Sequence, residues 1–547
     1  MAAVAAAFPS SLSSLEVKLR EAGEAVAAGA HEVDMVIDRG ALLAGHDRRV
    51  RDEIAAIREA CGAEVSTLLP SFDYAPALES RDAVTLRERY GLFIAGEWTA
   101  AEGNAVSATL DPATERVLSH VASAQPVDVD RAVRAARRGY DKYWRKIRPP
   151  ERAKYVYRIA RALAERAREF ALVETLDTGK PIRESREFDC AQAAASLFYH
   201  AGWADKLEWA LLGAQRPRPH GVAGAILSSY FPLLHAAWTL APALACGNTV
   251  VLLPSRSAPL SALLLAQICR EAELPPGVVN VVTGDRRAEE ALIEHPELDK
   301  LSFSGSSEEG KSVRRATAGT RLRLSLKLDG KSPCIVYEDA PLDQAVDGIV
   351  SAAYFNRGPA ASMGSRVLVQ ESVYEELAVR LRERVMGLRH GDPLDRNTDI
   401  GAIGSRERRD ALADVVRSGV EEGATLVQAA CSFPESGFWF PATFFTNVQP
   451  THRVAREPVF GPLLGIMTFR TPDEAIERAD NIPYGLSAGV WTSSGALALY
   501  TAGRLNVGTV WCNAFNQFDP SVPFGGLKES GSGRDGGLAG LREYLTT

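Results

Sequence analysis

Between residues 223 and 303 four short apolar runs recur, each followed by a stretch with helical spacing. They are Ala223-Gly-Ala-Ile-Leu227, Asn248-Thr-Val-Val-Leu-Leu253, Val278-Val-Asn-Val-Val282 and Lys300-Leu-Ser-Phe303. A strand with one wet face alternates polar and apolar residues, whereas a strand covered on both faces reads as a continuous apolar run. Such runs alternating with helices predict an α/β fold built on a doubly wound parallel sheet. An amphipathic helix is expected before them, over 149–172. A second βα rhythm runs from about 331 to 523 and ends in the glycine-rich Pro523-Phe-Gly-Gly526. Near the start, a helical pattern leads into a strand at Glu32-Val-Asp-Met-Val-Ile37, and Pro70-Ser-Phe-Asp-Tyr-Ala-Pro76 breaks the pattern like a linker.

At 547 residues the chain is too long for one compact core. A net charge of -7 gives no reason to expect nucleic acid or an anionic membrane surface as partner. The arginine clusters at 134–138 and 321–323 read as solvated faces. The alanine-rich start has no basic segment of the kind a signal peptide carries. No stretch approaches the roughly 20 apolar residues that span a bilayer. Seven cysteines lie far apart, without metal-type pairs. They read as reduced, mostly buried thiols, and the expected location is cytoplasmic, with no metal site.

Several blocks in order carry a resemblance. Phe231-Pro-Leu-Leu-His-Ala-Ala-Trp238 leads to Ala241-Pro-Ala-Leu-Ala-Cys-Gly-Asn-Thr-Val250. Leu274-Pro-Pro-Gly277, Phe303-Ser-Gly-Ser306, Gly330-Lys-Ser-Pro333, Gly364-Ser-Arg366, Phe460-Gly-Pro462 and Pro523-Phe-Gly-Gly526 follow. Over about residues 71–547 the chain resembles the aldehyde dehydrogenase superfamily. That resemblance implies a Rossmann-type cofactor domain at 90–196 and 219–330, a catalytic-type α/β domain at 331–530, and bridging, oligomer-forming segments at 197–218 and 531–547 that include a β hairpin. The start of that hairpin is read at Phe198-Tyr-His-Ala-Gly-Trp-Ala-Asp205. Residues 63–89 would be linker.

The family's reaction needs a thiolate nucleophile, an oxyanion donor, a general base and NAD(P). The family's Phe-Asn-x-Gly-Gln-x-Cys-x-x-Gly-Ser-Arg motif aligns with 355–366 here, placing Ala361 at the thiol position. Ser362 is adjacent, but its side chain is expected to point elsewhere. The oxyanion asparagine is replaced by Tyr230 and the base glutamate by Lys327. In the ribose-binding block Leu253-Pro-Ser-Arg256, Arg256 takes the place of a glutamate and could favour a 2′-phosphate. In Glu457-Pro-Val-Phe460, Pro458 stands where a glutamate would hold the nicotinamide ribose, and Phe460 survives. Gly305, Ser306 and Gly310 could cap a pyrophosphate at a helix N-terminus, or simply cap the helix.

The resemblance, with these losses, implies a catalytically degenerate member, a pseudoenzyme acting as a structural or regulatory subunit. It would form a homo-oligomer (a dimer) or join an active paralogue, with NAD or NADP as possible cofactors. The alternatives are a working NAD(P)-dependent aldehyde dehydrogenase with unconventional residues, and a ligand-binding protein in which Lys327 traps an aldehyde as an imine. Residues 8–62 resemble a fragment of deoxyribose-phosphate aldolase, a partial βα-barrel piece in which Asp34 matches a proton-relay carboxylate. The strands bearing that family's Schiff-base lysine are missing.

Overall fold

The computed structural model describes residues 77–210, 217–358 and 362–546, with 2–5, 32–35, 56 and 66–68. The chain divides into two compact units, Met1–Ala77 and Leu78–Thr547. In the first, the strands Ala2–Ala5, Glu32–Met35 and Ser66–Leu68 pair in that order, all parallel. The helical stretches expected around these strands lie outside the described residues, apart from residue 56. Asp34 pairs through its backbone with Val4 and Leu68. The break at 70–76 lies outside the described residues.

In the second unit all four apolar runs become strands of one sheet. Its parallel centre runs Arg323–Lys327, Lys300–Ser304, Val222–Ile226, Thr249–Leu253, Val279–Val281. The antiparallel strands Leu92–Ile94 and Glu97–Thr99 extend one edge, and Gly531–Ser532 closes the other. Every residue of Val222–Ile226 and Thr249–Leu253 is buried, because helices such as Pro126–Lys142 and Pro232–Cys246 cover the sheet's faces. Strand order reverses between Val222–Ile226 and Lys300–Ser304, and ligands of doubly wound sheets bind at the carboxyl ends of the strands flanking that point.

A second, seven-stranded sheet holds Thr425–Gln428, Thr443–Thr446, Leu463–Phe469, Arg366–Gln370, Pro333–Val336, Ser487–Trp491 and Thr509–Cys512, parallel except at Thr425–Gln428. The α/β architecture expected from the sequence is therefore present.

Two local expectations change. The helix expected over 149–172 is two helices, Pro149–Glu165 and Ala167–Thr178, broken at Arg166 (φ -103°, ψ 20°). The entry to a bridging hairpin, read at 198–205, is helical through Trp203, and of the bridging segment read at 197–218 residues 211–216 lie outside the described residues. Ala193, Leu197, His200 and Ala201 are buried at helical spacing there, so packing of one helical face sets the conformation. The carboxyl-terminal segment pairs with its own chain, Gly531–Ser532 against Leu326 and Lys327, and Leu545–Thr546 against Arg218–Pro219. Among the described residues no helix is long and apolar enough to cross a membrane, and no residue cluster could hold a metal ion.

Candidate functional site

A cavity opens at the switch point. The loop after Val222–Ile226 brings Ser228 and Tyr230 to it, and the helix Pro232–Cys246 adds Leu234, His235 and Trp238. Proline at the first helical position suits this abrupt start, since it needs no donor there. Gly305 and Lys327 reach the cavity from the ends of adjacent strands, while Phe518, Phe524 and Asp535 come from the carboxyl-terminal segment. The structure thus brings together Tyr230, Lys327, Ser362 and Gly305.

Lys327 Nζ lies 2.8 Å from Asp535 Oδ1. Burial pushes the Asp535 carboxyl group up, and the Lys327 ammonium offsets part of that rise. The segment is fixed by paired backbone hydrogen bonds, Phe524 N–H to Asp535 O and Asp535 N–H to Phe524 O, both 2.8 Å. Ala361 lies outside the described residues. Ser362 is among the residues lining the cavity, and its backbone carbonyl accepts from Ser487 Oγ at 3.2 Å. Among the described residues no hydrogen bond joins its hydroxyl to a base. His235 Nδ1 faces Ser228 Oγ at 3.1 Å. Burial, reinforced by Lys327 and Lys180, pushes His235 down to about 3, which leaves a neutral imidazole. The cavity lining includes no cysteine. The buried thiols of Cys269 and Cys334 are pushed up to about 12 by desolvation, unsuited to attack.

Tyr230 stacks on Phe460, ring centroids 4.8 Å apart and planes 18° apart, with the Arg408 guanidinium 4.7 Å from the Tyr230 centroid. Arg408 also donates to Ser229 Oγ at 2.9 Å. A phenol held between a ring and a cation gains stacking and cation–π attraction, and burial pushes it up to about 12, so it stays neutral. Its backbone is pinned, because the Tyr230 carbonyl accepts from Asn356 Nδ2 at 2.7 Å and Lys180 Nζ at 3.3 Å. Fully buried Lys180 pairs with Asp189 at 2.6 Å and Glu174 at 3.5 Å. Glu184 accepts the Asn356 N–H at 2.7 Å, and desolvation pushes it up to about 8. Asn356, Arg357 and Gly358 all have left-handed φ values, 54°, 63° and 77°. Two non-glycine residues in that region mark a backbone held by its surroundings. Here Arg357 is buried and donates to Thr178 O, Ala402 O and Asn356 O.

The helix Ser307–Ala316 begins beside the sheet's carboxyl end, with the N–H groups of Ser306, Ser307 and Glu309 already bonded to side chains. Ser306 N–H and Ser306 Oγ both donate to Glu309 Oε2 at 2.8 Å, Glu309 N–H donates to Ser306 Oγ, and Ser307 N–H donates to Asp329 Oδ2 at 2.7 Å. A side chain on Gly305 would meet the Phe303 ring and the Glu309 carboxylate, and one on Gly310 would meet Leu328. Both glycines are therefore needed for internal packing. Arg256 is exposed, and Glu457, beside Pro458, pairs with Arg453 at 2.9 Å. Asp535, Arg408, Glu309, Asp329 and His235 were missed by the sequence reading. Of these only the Ser306-x-x-Glu309 capping box leaves a local signal.

A profile of the aldehyde dehydrogenase family matches residues 98–547. Retinal dehydrogenase 2 of Rattus norvegicus is 39% identical over 464 residues, covering 83% of this chain and 90% of that protein. An aldehyde dehydrogenase of Alternaria alternata is 38% identical over 466 residues, covering 84% of this chain and 94% of that protein. The NAD+ complex of an aldehyde dehydrogenase from Bacillus cereus superposes with a TM-score of 0.83 at 35% identity, covering 86% of this chain and 98% of that one. With its two sheets, its switch-point cavity and a match along nearly all of the second unit, the chain belongs to the aldehyde dehydrogenase family.

Proposed function

We propose that this family member does not oxidise aldehydes and serves as a structural or regulatory subunit, assembling with itself or with an active paralogue. The observation that carries this reading is the Lys327–Asp535 ion pair in the cavity. A lysine in the place of the base glutamate, held in an ion pair, offers no carboxylate to take a proton from the water that must hydrolyse a thioester. Ala361 at the thiol position removes the nucleophile, and Tyr230 replaces the oxyanion donor, whose loss alone costs on the order of a hundredfold or more in rate.

The residues present do not fit a dinucleotide. The N–H groups at the start of Ser307–Ala316 already donate to Glu309 and Asp329, and two carboxylates there would repel a pyrophosphate. Tyr230 is stacked on Phe460, the ring assigned by resemblance to the nicotinamide side. Widely spaced, mostly buried cysteines support a cytoplasmic location.

Its second reading, an NAD(P)-dependent aldehyde dehydrogenase using unconventional residues, is favoured by the 39% identity to retinal dehydrogenase 2. Assay of the full-length protein with short, long and aromatic aldehydes, NAD or NADP decides between them. No reduced cofactor is expected. Aldehyde-dependent formation of NADH or NADPH that disappears in Ser362→Ala would overturn the proposal and establish the second reading.

A further inference from the structure

We propose that Lys327 captures an apolar aldehyde in the switch-point cavity as an imine. This deepens the proposed function and rests on it, since it assigns the cavity a ligand that is held but not oxidised. The amine sits at the end of the Arg323–Lys327 strand and lines the cavity. Its side chain is only 18% exposed, and Asp535 Oδ1 lies 2.8 Å away. Phe188, Phe231, Trp238, Phe518 and Phe524 line the same space. These rings favour an aromatic or long-chain ligand over a small hydrophilic one. A lysine amine attacks a carbonyl only after giving up its proton, and Asp535 is the group in reach to accept it.

The step balances within this site. Lys327 passes a proton to the Asp535 carboxylate, and its nitrogen lone pair forms the C–N bond to the aldehyde carbon. The carbonyl π electrons move to oxygen, which takes a proton from the newly bonded nitrogen and gives a neutral carbinolamine. Asp535 then protonates the hydroxyl group, the C–O bond breaks, and water leaves as the C=N bond forms. No oxidant, reductant or cofactor is consumed. Ser228 and Ser362 are among the residues of the cavity wall.

The test uses the full-length protein with equimolar benzaldehyde and sodium cyanoborohydride, read by intact mass and peptide mapping. One benzyl group per chain, mapped to Lys327 and competed away by benzyl alcohol, is expected. Lys327→Arg keeps the cation opposite Asp535 but cannot form the adduct, so its label should vanish while its fold remains. Asp535→Asn should slow labelling on the order of a hundredfold, the usual contribution of a positioned proton donor. Label confined to exposed lysines such as Lys154 and Lys206, with Lys327 unmodified, would overturn the inference. So would displacement of the probe by benzoate without any adduct, which would make Lys327 an ion-pair donor only. A parallel assay without borohydride keeps the two claims separate, because cofactor reduction there would defeat the inactive reading independently of where the label lands.

Discussion

Removing the Lys327 ammonium would leave Asp535 buried opposite no cation. Breaking one partner out of a buried ion pair typically costs about 3 kcal/mol, and at 18% and 9% exposure this pair is close to that regime. Lys327→Met is therefore expected to destabilise the second unit by about 3 kcal/mol in chemical denaturation. Adding Asp535→Asn should recover much of the loss. Equal, additive losses from the two substitutions would show that the pair does not interact. Glu184 behaves differently. Its ordinary value is near 4.5, and desolvation pushes it up to about 8 in the folded protein. The folded state therefore binds this proton more tightly than the unfolded chain does. The associated stability is complete at acidic pH and is lost as pH rises through about 8. Asp177, pushed up to about 7 mainly by burial, adds to the same slope. The melting temperature is expected to fall as pH rises from about 5 to about 8, and Glu184→Gln should make that fall shallower. An unchanged slope in the variant would remove Glu184 from the explanation.

The helix Ser307–Ala316 is where local chemistry and ligand chemistry compete. Its capping box satisfies the first-turn donors internally and stabilises the helix by about 1 kcal/mol. The same bonds withhold those donors from a phosphate. Glu309→Val combined with Asp329→Gly is expected to lower stability by about that amount while creating measurable affinity for inorganic pyrophosphate by calorimetry. Loss of stability without any gain in pyrophosphate binding would show that the two carboxylates are not what closes this end. The central strands were legible because each is covered on both faces and so reads as an unbroken apolar run, as in Thr249–Leu253. The break at Arg166 was not, since the helices on either side both bury apolar faces and their pattern runs through it. Residues 198–205 were read through resemblance as the approach to a hairpin, and the first six of them complete the helix Ala191–Trp203.

Across the whole molecule, the candidate positions could be placed in sequence because Tyr230, Lys327 and Ala361 each sit inside a block with a fixed register. Their partners could not. Asp535 meets Lys327 only because Gly531–Ser532 adds to the cofactor-type sheet. Arg408 reaches Tyr230 from the helix Arg406–Glu421. Such contacts are set by packing between distant segments and leave no local pattern. The proposed inactive reading joins these scales, since Tyr230 is held by Phe460 and Arg408 and Lys327 is held by Asp535. Calorimetric titration of the full-length protein with NAD and with NADP tests that most directly. No heat beyond dilution is expected, in the absence or presence of an aldehyde. Saturable binding of either dinucleotide, followed by its reduction when aldehyde is added, would contradict the account.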